Sequence, residues 1–333
     1  MSDVTAIVLT IGEETTDRAI ESLRRQSLLP REIIVIENVS PFHIALNQGV
    51  SKVKTDFFIQ VDADMILDEN CLEDLRECMT EGVGITMGQL RDPLMGIEAG
   101  IKMFRTKCLE EVQFKNSISP DTDFYNDIRN NGWQVMYALN LKYRGASNDL
   151  WLTFGEHKPE YTPVFTYQRY RLLGRRYRYR RDLITLKRRF RNLQKSNYGV
   201  SVIAQIAMAH GTFSGDEIDL LMPSLYTCNE DFTFLEKFLE SEKQYKINKA
   251  EIISLFSPKP EEIFRNFYKL GINLRTHNSS SALKYSMEIL DIDRHHFGWI
   301  AKVGLCHGIF SEVYHDQEAK NAYIMLEALV CSD

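Results

Sequence analysis

Apolar and polar positions alternate between two rhythms over the first 65 residues. A β-branched and aliphatic run at 6–11 predicts a strand. Residues 17–27 put Ala19, Ile20 and Leu23 on one helical face, and Pro30 marks the turn after them. Further apolar runs at 32–37 and 56–61 are continuous, as in strands covered by helices on both sides. Between them Ser40 reads as a cap and Pro41 as a first helical residue. Ile44, Leu46, Val50 and Val53 then keep helical spacing. This β-α-β-α-β order predicts right-handed crossovers and a parallel sheet.

Downstream, 68–82 predicts a helix, and short strands are expected near 84–87 and 100–105. Residues 122–131 predict a helix stopped by Gly132, followed by a strand at 133–139. From residue 200 onward the pattern is helical, with no β-α alternation and no evident repeat. The chain's 333 residues suit about two domains. The expected boundaries are 1–165 for an α/β domain, 166–197 for a helical connector and 198–333 for a mostly helical accessory domain.

Composition narrows the class. Apolar residues make up 44% and charged residues 26%, which excludes a disordered or collagen-like chain. The six cysteines form no CxxC pair and read as reduced structural thiols. The N-terminal run is only strand-length and lacks a basic lead, so neither a signal peptide nor a spanning helix is expected. Net charge is −6, yet residues 167–195 carry twelve Lys or Arg against Asp182 alone, leaving −17 on the remainder.

Asp62 and Asp64 directly follow the third strand. Two carboxylates there could hold a hard cation bridging diphosphate oxygens, or could be a solvated acidic turn. Spacing alone does not decide, since Asp121/Asp123 and Asp291/Asp293 repeat the pattern. Position does more, because ligands of open parallel sheets bind beyond the strands' carboxyl ends.

The surrounding motifs run in a familiar order. They are Glu21-Ser22-Leu23-Arg24-Arg25-Gln26, the strand ending at Glu37 with Ser40 beyond it, Ala45-Leu46-Asn47-Gln48-Gly49, and the strand ending in Asp62-Ala63-Asp64. Over about residues 4–160 the chain resembles family-2 glycosyltransferases of the GT-A fold. Farther on, Asp121 falls where that family places its general base, before a helix carrying Arg129 and Gly132. Pro120 stands where a Glu is usual, and Asp123 is the other candidate base. The family's "PTYN"-like turn is here Leu9-Thr10-Ile11-Gly12-Glu13-Glu14.

The resemblance implies an α/β, Rossmann-like, mostly parallel sheet flanked by helices. It implies an inverting, divalent-metal-dependent hexosyltransferase acting in glycan biosynthesis. Its donor would be a UDP- or GDP-sugar and its acceptor a glycan or lipid-linked hydroxyl. Asp62 and Asp64 would hold Mn²⁺ or Mg²⁺, with His157 as a third ligand on a loop beyond the sheet. Thr10, Glu37, Asn47 and Asp62 would contact the donor, and Asp121 would deprotonate the acceptor. His157 can equally be a surface histidine, and Asp121 a helix cap.

Two alternatives to a transferase are a non-catalytic GT-A-fold binding protein and a sugar-nucleotide pyrophosphorylase. The first would be marked by loss of the carboxylates. The second would need a basic Gly-rich loop where Gly12-Glu13-Glu14 stands. Nucleic acid is an unfavoured partner, since the chain is acidic overall and carries no helix-turn-helix or zinc pattern. The segment 167–195 reads as two basic helices broken near Arg180 and Arg181. It is a connector packed on the acidic remainder, an amphipathic surface helix docking on anionic lipid, or a direct contact for an anionic glycan or nucleic acid. The expected location is therefore cytoplasmic, with peripheral attachment to the inner face of a membrane as its extension.

Overall fold

The computed structural model describes residues 2–117, 120–138, 153–180, 182–197, 199–213, 229–241, 247–292 and 298–311, with 313–317, 319–320 and 322–324 beyond them. Two compact units divide after Glu160.

The first unit runs β1 (Val4–Thr10), α1 (Thr16–Arg24), β2 (Glu32–Glu37), α2 (Phe42–Val50), β3 (Phe57–Asp62), β4 (Met65–Leu67), α3 (Cys71–Glu77), β5 (Val83–Asp92) and β6 (Gly96–Arg105). A short 3-10 turn, α4 (Pro120–Asn130), β7 (Gln134–Tyr137) and β8 (Thr153–His157) complete it. The strands form one mixed sheet in the order β2-β1-β3-β6-β5-β8-β4, with β7 also on β5. β1 pairs in parallel with β2 and β3, as the alternating pattern predicts. β6 runs antiparallel to both β3 and β5, so the region expected to hold two short strands is a hairpin of two ten-residue strands.

Both faces of the sheet are buried. Ala6 and Val8 of β1 join one core with Val61, Leu72, Met103 and Phe154, while Ile7 and Leu9 join the other with Leu46, Phe58, Phe104 and Phe124. Residues of the sequence motifs hold the fold around the strand ends. Gln26 is buried, donates to the carbonyls of Ser22 and Asp68, and accepts the N–H of Leu72. The Ser22 hydroxyl accepts the N–H of Leu67. Together they clamp the chain just beyond Asp62 and Asp64. Gly49 lets α2 lie on β1, because a Cβ there would stand 2.6 Å from Ile7. Gly132 stops α4 with φ +87°, as expected of a C-terminal cap. Pro41 differs from expectation: it is the cap, and α2 begins at Phe42.

The second unit holds α5 (Pro163–Arg180), α6 (Leu183–Lys195), α7 (Ser201–Phe213), α8 (Asn229–Leu239), α9 (Lys249–Ser254), α10 (Pro260–Thr276), α11 (Ser280–Ile292) and α12 (Gly298–Phe310). Contrary to the sequence reading, it contains a repeat. Adding 97 to each residue number carries α5 onto α10, α6 onto α11 and α7 onto α12, with no gap in between. Pro163, Leu173, Gly174, Leu186, Lys187, Leu193, Ile203, Ala204, His210, Gly211 and Phe213 meet identical residues at the shifted positions.

The contacts repeat with the residues. A Cβ on Gly174 would strike the carbonyl of Met208, and one on Gly271 that of Leu305, the matched position. Gly211 lies against the carbonyl of Arg171, and Gly308 against that of Tyr268, again matched. Each copy therefore packs its first helix on its third, backbone to backbone. Tyr167 and Phe264, themselves matched, each meet a further ring from outside the repeat: Phe232 lies 5.7 Å from Tyr167 and Tyr323 lies 6.2 Å from Phe264. α7 packs on α12, which sets the layer order α5, α7, α12, α10. Lys302 donates to Gln205, its own matched position, at 3.2 Å. The repeat spans the expected connector and the expected accessory domain, so a search within 200–333 meets only one whole copy. Arginines also fill the first copy where Asn, Ile and Tyr stand in the second.

Candidate functional site at the strand ends

The sheet brings three strand ends level. Thr10 lies beside Glu37, and Leu9 beside Asp62. Thr10 is occupied within its own loop: its hydroxyl donates to Glu13 at 2.7 Å and accepts the N–H of Gly12. Glu13 also takes the N–H of Ile11. Asn47 donates to the carbonyl of Phe114 and so ties α2 to the segment before α4. Glu37 is exposed at the end of β2.

Asp62 accepts a hydrogen bond from Gln60 at 3.0 Å. Burial pushes its carboxyl above the usual range and the neighbouring Asp64 charge pushes it further, while Gln60, Lys102 and His157 pull it back. The backbone of Asp64 is pinned where its carbonyl accepts the N–H of Lys158. His157 was expected on a loop; it instead closes β8, which runs antiparallel to β4. Residues 153–157 fill the slot between β5 and β4, which is what carries the ring to Asp64. His157 Nε2 lies 3.0 Å from Asp64 Oδ2, and its Nδ1 lies 2.7 Å from Asp92 Oδ2. The Asp92 side chain is fully buried, and its other oxygen accepts the N–H groups of Leu94 and Met95. A carboxylate so fixed orients the imidazole, as outer partners of metal-binding histidines do.

Asp121 stands in the first turn of α4, with Asp123 in the same turn. Lys102 Nζ lies 3.0 Å from Asp121 Oδ2. Lys102 comes from β6, directly across from Gln60, so its charge acts on both Asp62 and Asp121. The structure thus joins Asp62, Asp64 and His157 in one group, and links Asp121 to it through Lys102.

Three members of this group escaped the sequence reading: Gln60, Asp92 and Lys102. Asp92 had a faint signal, as an acid closing a ten-residue strand as Asp62 closes β3. Lys102 had one too, as a lysine between Ile101 and Met103 in a strand with buried neighbours. Gln60 had the weakest, being one polar residue within an otherwise apolar strand.

Among the described residues, no group of three or more His, Cys, Asp or Glu is arranged to hold a metal ion. The donor chemistry nevertheless fits a hard divalent cation. Two carboxylates crowd each other, and an imidazole is turned toward one of them.

No family model and no curated protein matches the chain. Solved structures resemble it at low identity. The mannosyltransferase PcManGT from Pyrobaculum calidifontis, in complex with GDP-Man and Mn²⁺, is 11% identical over 88% of each chain, with a TM-score of 0.40. S. aureus TarS 1-349 in complex with UDP-GlcNAc is 12% identical over 90% of this chain and 92% of that one, with a TM-score of 0.35. A CMP:2-keto-3-deoxy-manno-octonic acid synthetase complexed with CTP is 11% identical over 41% of this chain and 89% of that one, with a TM-score of 0.31.

Proposed function

We propose that the strand-end site binds a nucleoside-diphosphate sugar with a divalent cation and transfers the sugar to an acceptor hydroxyl. One observation supports this above all: two mutually repelling carboxylates stand at and just beyond the end of β3, with His157 held against the second by a buried aspartate. The order of motifs in residues 4–160 supports the sugar-nucleotide class of donor.

Asp62, Asp64 and His157 would hold Mn²⁺ or Mg²⁺. When bound, the cation supplies counter-charge to the departing diphosphate. Asp92 fixes the His157 ring. Asp121 takes the proton of the acceptor hydroxyl as it attacks, and Lys102 holds that carboxylate in place. Attack opposite the leaving group inverts the anomeric carbon. Glu37, exposed at the edge, accepts hydrogen bonds from the nucleoside.

The test is turnover of a panel of UDP- and GDP-sugars with Mn²⁺. Donor cleavage that stops in EDTA and in Asp64→Ala supports the reading. Donor binding without any turnover would favour the non-catalytic alternative. Full turnover in EDTA would remove the cation from the scheme.

A further inference from the structure

The second unit holds two copies of one helix arrangement with different outer surfaces. α6 and α11 occupy matched places in the two copies, so what they share serves the fold, and what they do not share serves something else. Inward, they agree: Leu186, Phe190 and Leu193 are buried, and so are Leu283, Met287 and Leu290. Outward, they do not. Ile184, Arg188, Arg191 and Lys195 lie at helical spacing on one exposed face of α6. The matched positions of the first three, on α11, hold Ser281, Tyr285 and Glu288, all exposed.

Much of the rest of the basic segment is packed inside the unit. Arg171 is buried, and Arg175, Arg176 and Arg178 are half-buried on a helix whose Gly174 lies against α7. The apolar face of α6 is likewise covered inside the unit. An amphipathic helix inserting its apolar side is therefore the wrong picture for this segment. What remains is a cationic stripe about 16 Å long at 1.5 Å per residue, headed by an isoleucine that is 77% exposed.

We propose that this stripe of α6 is a docking surface for an anionic lipid bilayer. The three cations match headgroup phosphates, and the charge is specific to this copy of the repeat. Ile184 decides between lipid and other polyanions. An exposed aliphatic side chain gains from the headgroup–acyl boundary and gains little from a sugar-phosphate backbone.

The experiment is co-sedimentation of the full chain with phosphatidylcholine vesicles, with and without about one third phosphatidylglycerol, at low salt and at about 0.5 M salt. The wild type should pellet only with anionic vesicles and only at low salt. Ile184→Ser, Arg188→Tyr and Arg191→Glu together copy α11 and should weaken partitioning at least about a hundredfold with the melting temperature kept. If that variant misfolds, Lys195→Gln alone should weaken it about fivefold. Ile184→Ser alone should weaken vesicle binding while leaving any oligonucleotide binding unchanged. No pelleting at low salt, or pelleting equal in the variants, overturns the proposal. So does stripe-dependent binding of a single-stranded oligonucleotide while vesicles leave the protein in the supernatant.

Discussion

The two units are held together by opposite means. In the first, polar side chains reach across the chain to fix loops around the strand ends: Gln26 and Ser22 clamp the segment after Asp64, Asn47 holds Phe114, and Asp92 holds His157. In the second, glycines let helix backbones touch, and the same contacts occur twice. The first design fixes individual atoms, which suits chemistry. The second fixes whole helices and leaves their outer faces free to diverge.

The largest expected effect tests the first design at its functional end. Asp64→Ala and Asp62→Ala should each lower donor turnover by roughly a thousandfold, about 4 kcal/mol of barrier. The melting temperature should hardly move, because each substitution loses a carboxylate's local hydrogen bond or ion pair but relieves the repulsion between the two acids. Steady-state kinetics beside thermal unfolding separates the two effects.

Gly308→Val attacks the second design. The new side chain meets the carbonyl of Tyr268, which cannot swing away. A loss of about 3 kcal/mol is expected. Urea unfolding followed by helical circular dichroism should show it, and Gly211→Val should cost a similar amount if the copies are equivalent. A twofold difference in cost would break the equivalence.

Asp92→Asn keeps the shape and removes the charge behind His157. Mn²⁺ affinity should fall about tenfold to a hundredfold, read by calorimetry, with the loss smaller than for Asp64→Ala.

His210 probes the second unit's interior. Its ring is buried, accepts from or donates to Tyr167 at 2.6 Å, and faces Arg171, Arg175 and His307. Burial first, and then those charges, hold its proton affinity well below the ordinary histidine value. The unfolded chain therefore binds the proton more readily. Stability should fall as pH drops below about 6.5, by up to about 1.4 kcal/mol per pH unit, until the depressed folded value is reached. Unfolding at pH 7 and pH 5 checks this, and His210→Gln should flatten the difference. The smallest effect is Tyr167→Phe, which copies Phe264 of the second copy and should cost about 1 kcal/mol.

Local pattern made much of the first unit legible. β1 to β3 each carry a continuous apolar run, and Asp62, Asp64, Asp121 and His157 stand out by type and position. β4 and β8 were hidden because each is short and takes its identity from a partner some 90 residues away. Asp92 was hidden for the same reason, since its role appears only once β8 delivers His157. In the second unit, burial by backbone contact leaves a faint trace in composition. Gly174 and Gly211 look like any helical glycines until they are set beside Gly271 and Gly308.

The contact between Lys302 and Gln205 has a meaning beyond its single hydrogen bond. Two separate identical subunits meeting along such a layer would place the same residue on both sides of their axis. A buried lysine there would face a second lysine, and the interface would be repelled. Joining both halves in one chain removes that restriction. One half can carry the ammonium and the other the amide that accepts from it. By the same freedom one outer helix can be strongly cationic while its counterpart is not, so a single molecule presents one charged face where a symmetric pair would be obliged to present two.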